Sequence, residues 1–380
     1  MNYREDEGLD IQRKRMKIVI IISSIMLIMI GIVLILFMQQ QKQGNSRDLS
    51  TPTPEVTATP TPIPTPTVDP RAGKVQSSIS GKWVDEKVES KRPYAVMINN
   101  IEYAFKHQKG TSKADIIYEA LAEGGITRMM AVYQDPSKVK KIGSVRSARH
   151  YYVQFAKEWN AIYCHFGHTK YATEKIEKLK SNNLSGLSGI GSLVYERDNS
   201  LSAPHNVFTS GKKLQQGAKK LKYSRKQDTA KMAEHFAFYE EDTELAGGNE
   251  AKNITLPFSN YSTCKLKYST KKRTYLKYEY GQKQMDTYYK KQLAFKNVIV
   301  QLVEESNIDH NGYQTMELSD HSGKGYYISN GKVQKITWER KESGNQMVYK
   351  SSNGNVLTIN PGKTYIAVYP KSRKKFIEIK

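Results

Sequence analysis

The chain of 380 residues carries 59 Lys/Arg against 37 Asp/Glu, a net charge of +22, almost all of it after residue 80. That length provides for one to three domains, and a field of that sign attracts polyanions or anionic lipid and turns cationic partners away. Tyrosine outnumbers phenylalanine 25 to 10, which suggests polar-tipped aromatic surfaces beside the core.

Residues 1–17 form a short basic tail with Arg13, Lys14, Arg15 and Lys17 at its end. Ile18–Met38 follows without a single charged residue. As a helix it would run about 32 Å at roughly 1.5 Å per residue, enough to cross a bilayer. Only Lys42 and Arg47 follow closely, so the charge bias keeps the N-terminus cytoplasmic and the bulk outside. The run is long for a signal-peptide core and no A-x-A-like site follows, which predicts an uncleaved signal anchor in the cell membrane; a long signal peptide that is cut is the alternative. Outside the membrane, nucleic acid drops out of the expected partners. Anionic wall polymers and lipid phosphates remain.

Residues 39–80 read as a tether. "TPTPEVTATPTPIPTPTVDP" (51–70) alternates Pro with Thr and suits neither helix nor core. Extended as polyproline II, those residues would span roughly 60 Å at about 3.1 Å each.

From residue 81 the pattern turns globular. "YAVMINN" predicts a buried strand. "TSKADIIYEALAEGG" predicts a helix, with Ser112 and Asp115 as a capping box, Ile116, Ile117, Ala120 and Leu121 as its apolar side, and Gly124–Gly125 as its stop. "ITRMMAVYQ" and "KKIGSVR" predict strands around the turn "DPSK". "SARHYYVQFAKEWN" has Tyr152, Phe155, Ala156 and Trp159 at helical spacing. Strand "AIYCHF", helix "TKYATEKIEKLK", a Gly/Ser loop, strand-like "SLVYERD" and helix "SGKKLQQGAKKLKY" complete an α/β layered domain over 81–247. Residues 248–380 alternate in short runs with Gly- and Asn-rich turns, which predicts a β-rich second domain. Cys164 and Cys264 fall in different predicted parts. Cys164 reads as a small hydrophobe in a buried strand, and pairing of the two remains open.

Several residues could carry chemistry. Ser147 stands where the helix after "IGSV" would be capped, with Arg146 and Arg149 flanking its first turn. A helix N-terminus favours an anion, and guanidinium forks suit phosphate or carboxylate. The alternative is a structural ion pair with Glu119 or Glu123. On the expected helix, Glu119 and Glu123 share a face and could act as an acid/base pair, with Arg128 across the glycine turn. In "CHFGH", His165 and His168 are candidates for anion contact. The spacing with Cys164 fits no zinc pattern, so no metal is expected, nor any cofactor. Loop residues His205 and Asn206 in "SAPHNVFTS" are further candidates, His205 for acid/base work and Asn206 for ligand binding. No G-x-S-x-G, Walker A, H-E-x-x-H or G-x-G-x-x-G is present, so nucleophilic hydrolysis has no support.

At these residues the sequence resembles a known family. "RPYAVMINN", "ADIIYEALAEGGITRMMAVYQ", "KIGSVRSAR", "APHNVFTS" and "ITWER…NVLTINPGKTYIAVYP" are together similar to the YerB-type bacterial envelope proteins, over about residues 82–375. That family has an N-terminal and a C-terminal domain of unknown function. The resemblance implies roles for Asn99, Asn100, Glu119, Glu123, Gly124, Gly125, Thr127, Arg128, Arg146, Ser147, Arg149, Pro204, His205 and Asn206, and leaves the reaction open. Members are often lipoproteins; this sequence lacks a lipobox cysteine, so lipid modification is not implied. A shorter likeness, strand–xxR–polar followed by strand–His–Gly–helix, resembles the LytR–CpsA–Psr phosphotransferases, but the aspartate after the arginine is absent. The expected function is therefore binding of an anionic envelope polymer or lipid-linked phosphate in an arginine cleft. Two alternatives stand beside it: phosphoryl or glycopolymer transfer in the same cleft, and a non-catalytic interaction scaffold.

Overall fold

A computed structural model describes residues 71–380, all within one compact unit. The expected span Ile18–Met38 and the Pro/Thr run lie outside the described residues. Among those described, no helix is long and apolar enough to cross a membrane. The folded part starts before residue 81, because Lys74–Gln76 pairs antiparallel with Trp83–Asp85.

In chain order the first half supplies strands β1 (Tyr94–Asn99), β2 (Ile116–Leu121) and β3 (Thr127–Tyr133). Helix α1 (His150–Glu158), strand β4 (Ile162–His165), helix α2 (Lys170–Lys178), strand β5 (Asn183–Ser185) and helix α3 (Gly211–Lys220) follow. The second half is built of strands and short 3-10 turns. Its main strands are β6 (Asn253–Pro257), β7 (Thr263–Ser269), β8 (Thr274–Glu279), β9 (Asn297–Val303), β10 (His321–Ser329), β11 (Lys332–Lys341), β12 (Gln346–Ser351) and β13 (Thr364–Pro370). A mixed α/β first part and a β-rich second part are thus present.

An 11-stranded sheet draws on both halves, in the order Asn249–Glu250, β11, β10, β9, β13, β2, β3, β1, β4, β5, with β12 also on β11. The halves meet at its middle, where β13 runs parallel to β2 with Thr364 opposite Ile116 and Val368 opposite Ala120. Strands so placed are buried on both faces, which is why β1, β2, β3, β9 and β13 are near-continuous apolar runs rather than alternating ones. Helix α1 covers one face: Phe155 stacks on Tyr118 at 4.8 Å, and Trp159 Nε1 donates to the Tyr118 hydroxyl. A six-stranded sheet around β6, β7 and β8 lies on the other face. One core of buried side chains runs from Ile79 to Tyr369, each large apolar member contributing roughly 1.5–3 kcal/mol.

The expected helix over 111–125 is a strand. Ile116–Leu121 sits between β13 and β3, buried at every position, so two flanking ladders outweigh a weak helical periodicity. Its supposed caps serve other ends. Ser112 donates from Oγ and backbone N–H to Asp286 Oδ2, and Asp115 accepts the Gln134 N–H. Gly124 and Gly125, at φ +68° and +72°, make the turn into β3. "SLVYERD" likewise splits into a helical turn, Gly191–Val194, and a short strand, Glu196–Arg197. Cys164 and Cys264 are buried free thiols.

Candidate functional site

Asn99 ends β1 opposite Arg128, the second residue of β3. Their shared face is the one α1 covers, and Tyr152 of that helix donates to the Arg128 carbonyl. The segment 144–149 is stitched between this strand end and the loop after β4. Asn99 donates its N–H to Ser144 O, Arg146 donates to Met97 O, and Phe166 and Ala148 close the other side through Arg146 O and Gly167 O. Helix α1 then begins at His150 with Arg149, not Ser147, in the capping position and no side-chain cap bond. Ser147 instead accepts Arg128 Nη1 on its carbonyl at 3.0 Å, and its side chain fits against Gly167. The positive charge at this end of the helix comes from the side chains around it.

Two guanidiniums contact one carboxylate, and a third, that of Arg146, stands within its electrostatic reach. Arg149 grips Glu123 bidentately, Nε and Nη2 each 2.5 Å from an oxygen. Arg128 Nη2 lies 3.6 Å from Glu123 Oε2. The ion-pair alternative therefore holds for Arg149 and Arg128, with Glu123 as partner. Burial alone would raise the Glu123 carboxyl, but the Arg149 hydrogen bonds and the two positive charges hold it below the usual range. Arg128 is 4% exposed, and its Nε has no partner among the protein's own groups. Burial, then Arg149, pulls its guanidinium down to about 10. Arg146 is half-buried and, among the described residues, makes no side-chain hydrogen bond or ion pair. Burial and then Arg149 lower it, against the pull of Glu123.

His205 joins this cluster from the loop after Glu196–Arg197. Its Nδ1 is 2.8 Å from Asn99 Nδ2. The Asn99 oxygen faces the Ile101 N–H, so the amide donates and Nδ1 accepts. The neutral ring then carries its proton on Nε2 and presents a donor, not a base. Burial first, and Arg146 second, lower the His205 pKa and keep the ring neutral. Tyr103, 40% exposed, lies 5.3 Å from the ring.

Other candidates are elsewhere. His165 is buried, with its ring nitrogens on Gly167 O and Asn183 Oδ1, and burial lowers it to about 4. His168 is exposed, 6.1 Å from that ring and paired in register with Ala148. The Asn206 oxygen takes Arg197 Nη1 at 2.7 Å as part of the turn.

Glu119 is on the opposite face of the sheet from the arginines, fully buried. The helix that would have paired it with Glu123 does not exist. Its Oε1 accepts from Asn100 Nδ2 at 3.0 Å and Thr127 Oγ1 at 2.7 Å, and its Oε2 from the Tyr365 hydroxyl at 2.8 Å. Lys277 reaches the same Oε2 at 3.0 Å, Glu279 at 2.9 Å and Gln284 Oε1 at 2.6 Å. Glu119, Glu279 and Cys264 also come together as a possible cation-ligand group, but the Lys277 ammonium already supplies the positive charge there. This buried cluster joins the two halves of the chain and was not anticipated. A signal was available: period two in "TYLKYEYG" places Lys277 and Glu279 on the same inward face as Tyr275.

The sequence matches the model of the N-terminal domain of a protein family of unknown function, DUF3048, over residues 79–224, and its C-terminal domain over 254–366. It is 31% identical over 306 residues to the Bacillus subtilis (strain 168) protein named "Putative lipoprotein YerB", covering 80% of this chain and 88% of that one. The crystal structure of the YerB protein from Bacillus subtilis matches with a TM-score of 0.71 at 29% identity, over 81% of this chain and 100% of that chain. The shorter likeness to the LytR–CpsA–Psr enzymes is not among these matches.

Proposed function

The chain belongs to the DUF3048 family, to which its YerB-type motifs assign it, and on that premise we propose that it is a membrane-anchored envelope protein that binds a phosphate-bearing polymer or lipid-linked phosphate. The relative is named a lipoprotein, which supports membrane anchoring. In this chain residues 1–163 contain no cysteine, so the anchor is the apolar run Ile18–Met38, with the bulk of the protein outside.

One observation carries the binding reading. Arg149 and Arg128 share a single carboxylate, and the guanidinium of Arg146 beside them has no partner among the described residues. A half-buried arginine costs desolvation without return unless an anion completes it. His205 Nε2–H adds a neutral donor beside it. Binding is favoured over acid/base transfer chemistry because Glu119 is sealed on the far face, Glu123 is chelated in its ionised form, and the neutral His205 ring presents a hydrogen-bond donor.

The test is a thermal-shift and calorimetric titration of residues 71–380 with inorganic pyrophosphate, a short-chain polyprenyl pyrophosphate and teichoic acid, against Arg146→Ala. Saturable stabilisation that disappears in Arg146→Ala supports the site. Equal shifts in both proteins, or none in either, overturn it. The polyprenyl and teichoic acid arms separate the lipid from the polymer.

A further inference from the structure

An open pocket of about 410 Å³ lies on the outer face of the β7–β8 hairpin. Period two along the hairpin creates it. Cys264, Leu266, Tyr275, Lys277 and Glu279 point inward, which leaves Lys265, Lys267 and Tyr278 outward. Tyr261, Tyr280, Thr263, Gly281 and the otherwise buried Glu279 also line it. Tyr261 is 74% exposed, the highest value among the large apolar or aromatic side chains at the described surface. Lys267 lies over the Tyr278 ring at 5.4 Å, and neither Lys265 nor Lys267 has a carboxylate partner among the described residues.

Two contacts tie the lining of this pocket to segments that also carry the arginine cluster. The turn that carries Glu123 also carries Gly125, where an added Cβ would come within 3.1 Å of Tyr261; Ser259 Oγ ties that loop to the Gly125 carbonyl. On the other side, the Tyr280 hydroxyl donates to Asn100 O at 2.7 Å, one residue from the asparagine that orients His205. One exposed and two half-buried tyrosines beside ammonium groups without carboxylate partners fit neither a core nor an ordinary solvated sheet face. They match a chain of alternating chemistry: C–H faces of polyol or sugar units lie on the tyrosines, and the phosphodiesters between them reach the lysines.

We propose that this pocket is a subsite for the repeating units of a linear phosphodiester polymer whose chain continues past the Glu123–Gly125 turn to a phosphate at Arg146. The proposal rests on the anion reading above and narrows it from a lipid-linked phosphate to a polymer. The lysines supply attraction along the chain, and the tyrosines distinguish polyol phosphate from bare phosphate.

The experiment measures dissociation constants of residues 71–380 for poly(glycerol phosphate), inorganic polyphosphate and pyrophosphate. The variants are Tyr278→Ala, Lys267→Ala and Arg146→Ala, each checked for an unchanged Tm. Tyr278 and Lys267 lie away from the Glu123 turn, so their loss leaves the arginines in place. Tyr278→Ala should weaken poly(glycerol phosphate) at least tenfold and polyphosphate less than twofold. Lys267→Ala should weaken both polymers, and pyrophosphate should change less than twofold in either variant. If Tyr278→Ala and Lys267→Ala bind poly(glycerol phosphate) within twofold of wild type, the subsite is wrong while the Arg146 site can stand. If Arg146→Ala leaves pyrophosphate binding unchanged, the anion reading fails, and the subsite as an extension of it fails too.

Discussion

Replacing Lys277 with Met should destabilise the protein by about 3–5 kcal/mol, the cost of removing one partner from a buried ion pair. The reasoning is specific to its neighbours. Lys277, Glu119 and Glu279 are each fully buried, and the ammonium is the positive charge that both carboxylates contact. Met fills the aliphatic volume but leaves Glu119 Oε2 only the Tyr365 hydroxyl, and Gln284 Oε1 loses its donor. Two carboxylates would then face each other across a dry interior, so at least one must take up a proton. Urea unfolding of residues 71–380 at pH 7 measures the loss, read as a shift of midpoint at constant slope. The triple variant Lys277→Met, Glu119→Gln, Glu279→Gln should recover most of it, because the cost lies in uncompensated charge rather than in a missing attraction. A loss below about 1 kcal/mol, or a triple variant no better than the single one, would refute this account and mean that water reaches the cluster.

Further expectations follow from the same geometry. Burial, and then Glu119 working against the Lys277 charge, raises the Glu279 carboxyl to about 7. A carboxyl with a raised folded-state pKa binds its proton more tightly in the native state, so its contribution is full at low pH and lost as pH rises through the folded value. Wild type should lose on the order of 2–3 kcal/mol from this group between pH 5 and 8, and Glu279→Gln should flatten that slope; a parallel profile for the two proteins counts against it. Glu123→Ala strips Arg149 and Arg128 of their shared carboxylate, so it should cost about 2–3 kcal/mol in low-salt buffer and regain part of that in sulfate or phosphate. A loss that anions do not reduce would show that the bridge acts through packing alone. Cys164 and Cys264, buried and with thiol pKa values raised by that burial, should resist iodoacetamide in the native state and both react in urea, as mass spectrometry would show.

How much of this was legible in the sequence depended on which signal each segment carried. Helices α1, α2 and α3 lie where apolar spacing put them: α2 and α3 turn one side to the core and the other to solvent, and α1, buried almost throughout, keeps its large apolar residues at helical spacing. The segment "ADIIYEAL" failed for the opposite reason. A strand buried on both faces has no period-two signature, and Ile116, Ile117, Ala120 and Leu121 happen to fall on a helical stripe as well. That single misreading moved Glu119 from a supposed catalytic pair with Glu123 into a buried cluster on the other side of the sheet. Arg128, Arg146, Arg149 and Glu123 were each identified, yet their joining depends on register. Asn99 must stand opposite Arg128, and 144–149 must lie along the end of β1. Neither is fixed by local composition. The Lys277 cluster depends on contacts about 160 residues apart in sequence, which no local pattern encodes.

The two polar sites are opposite faces of the same strand ends. Arg128 and Asn99 point toward α1 and the open arginine cluster, while Thr127 and Asn100, their immediate neighbours, bond Glu119 in the interior. Consecutive residues with consecutive roles explain why this segment is dense in polar side chains although β1 and β3 are otherwise apolar. The arrangement also gives the β-rich half a part in the binding site. Gln284 and Tyr280 hold Asn100, and Asn100 sets the end of the strand from which Asn99 orients His205. An open basic cluster with net positive charge repels itself; a buried, hydrogen-bonded floor beneath it keeps the arginines from splaying apart before an anion arrives. Preorganisation of this kind lowers the ordering cost of binding. It follows that Gln284→Ala, remote from any anion, should weaken pyrophosphate binding as well as stability. If affinity is unchanged while stability falls, the two faces are independent and the buried cluster serves only to join the halves.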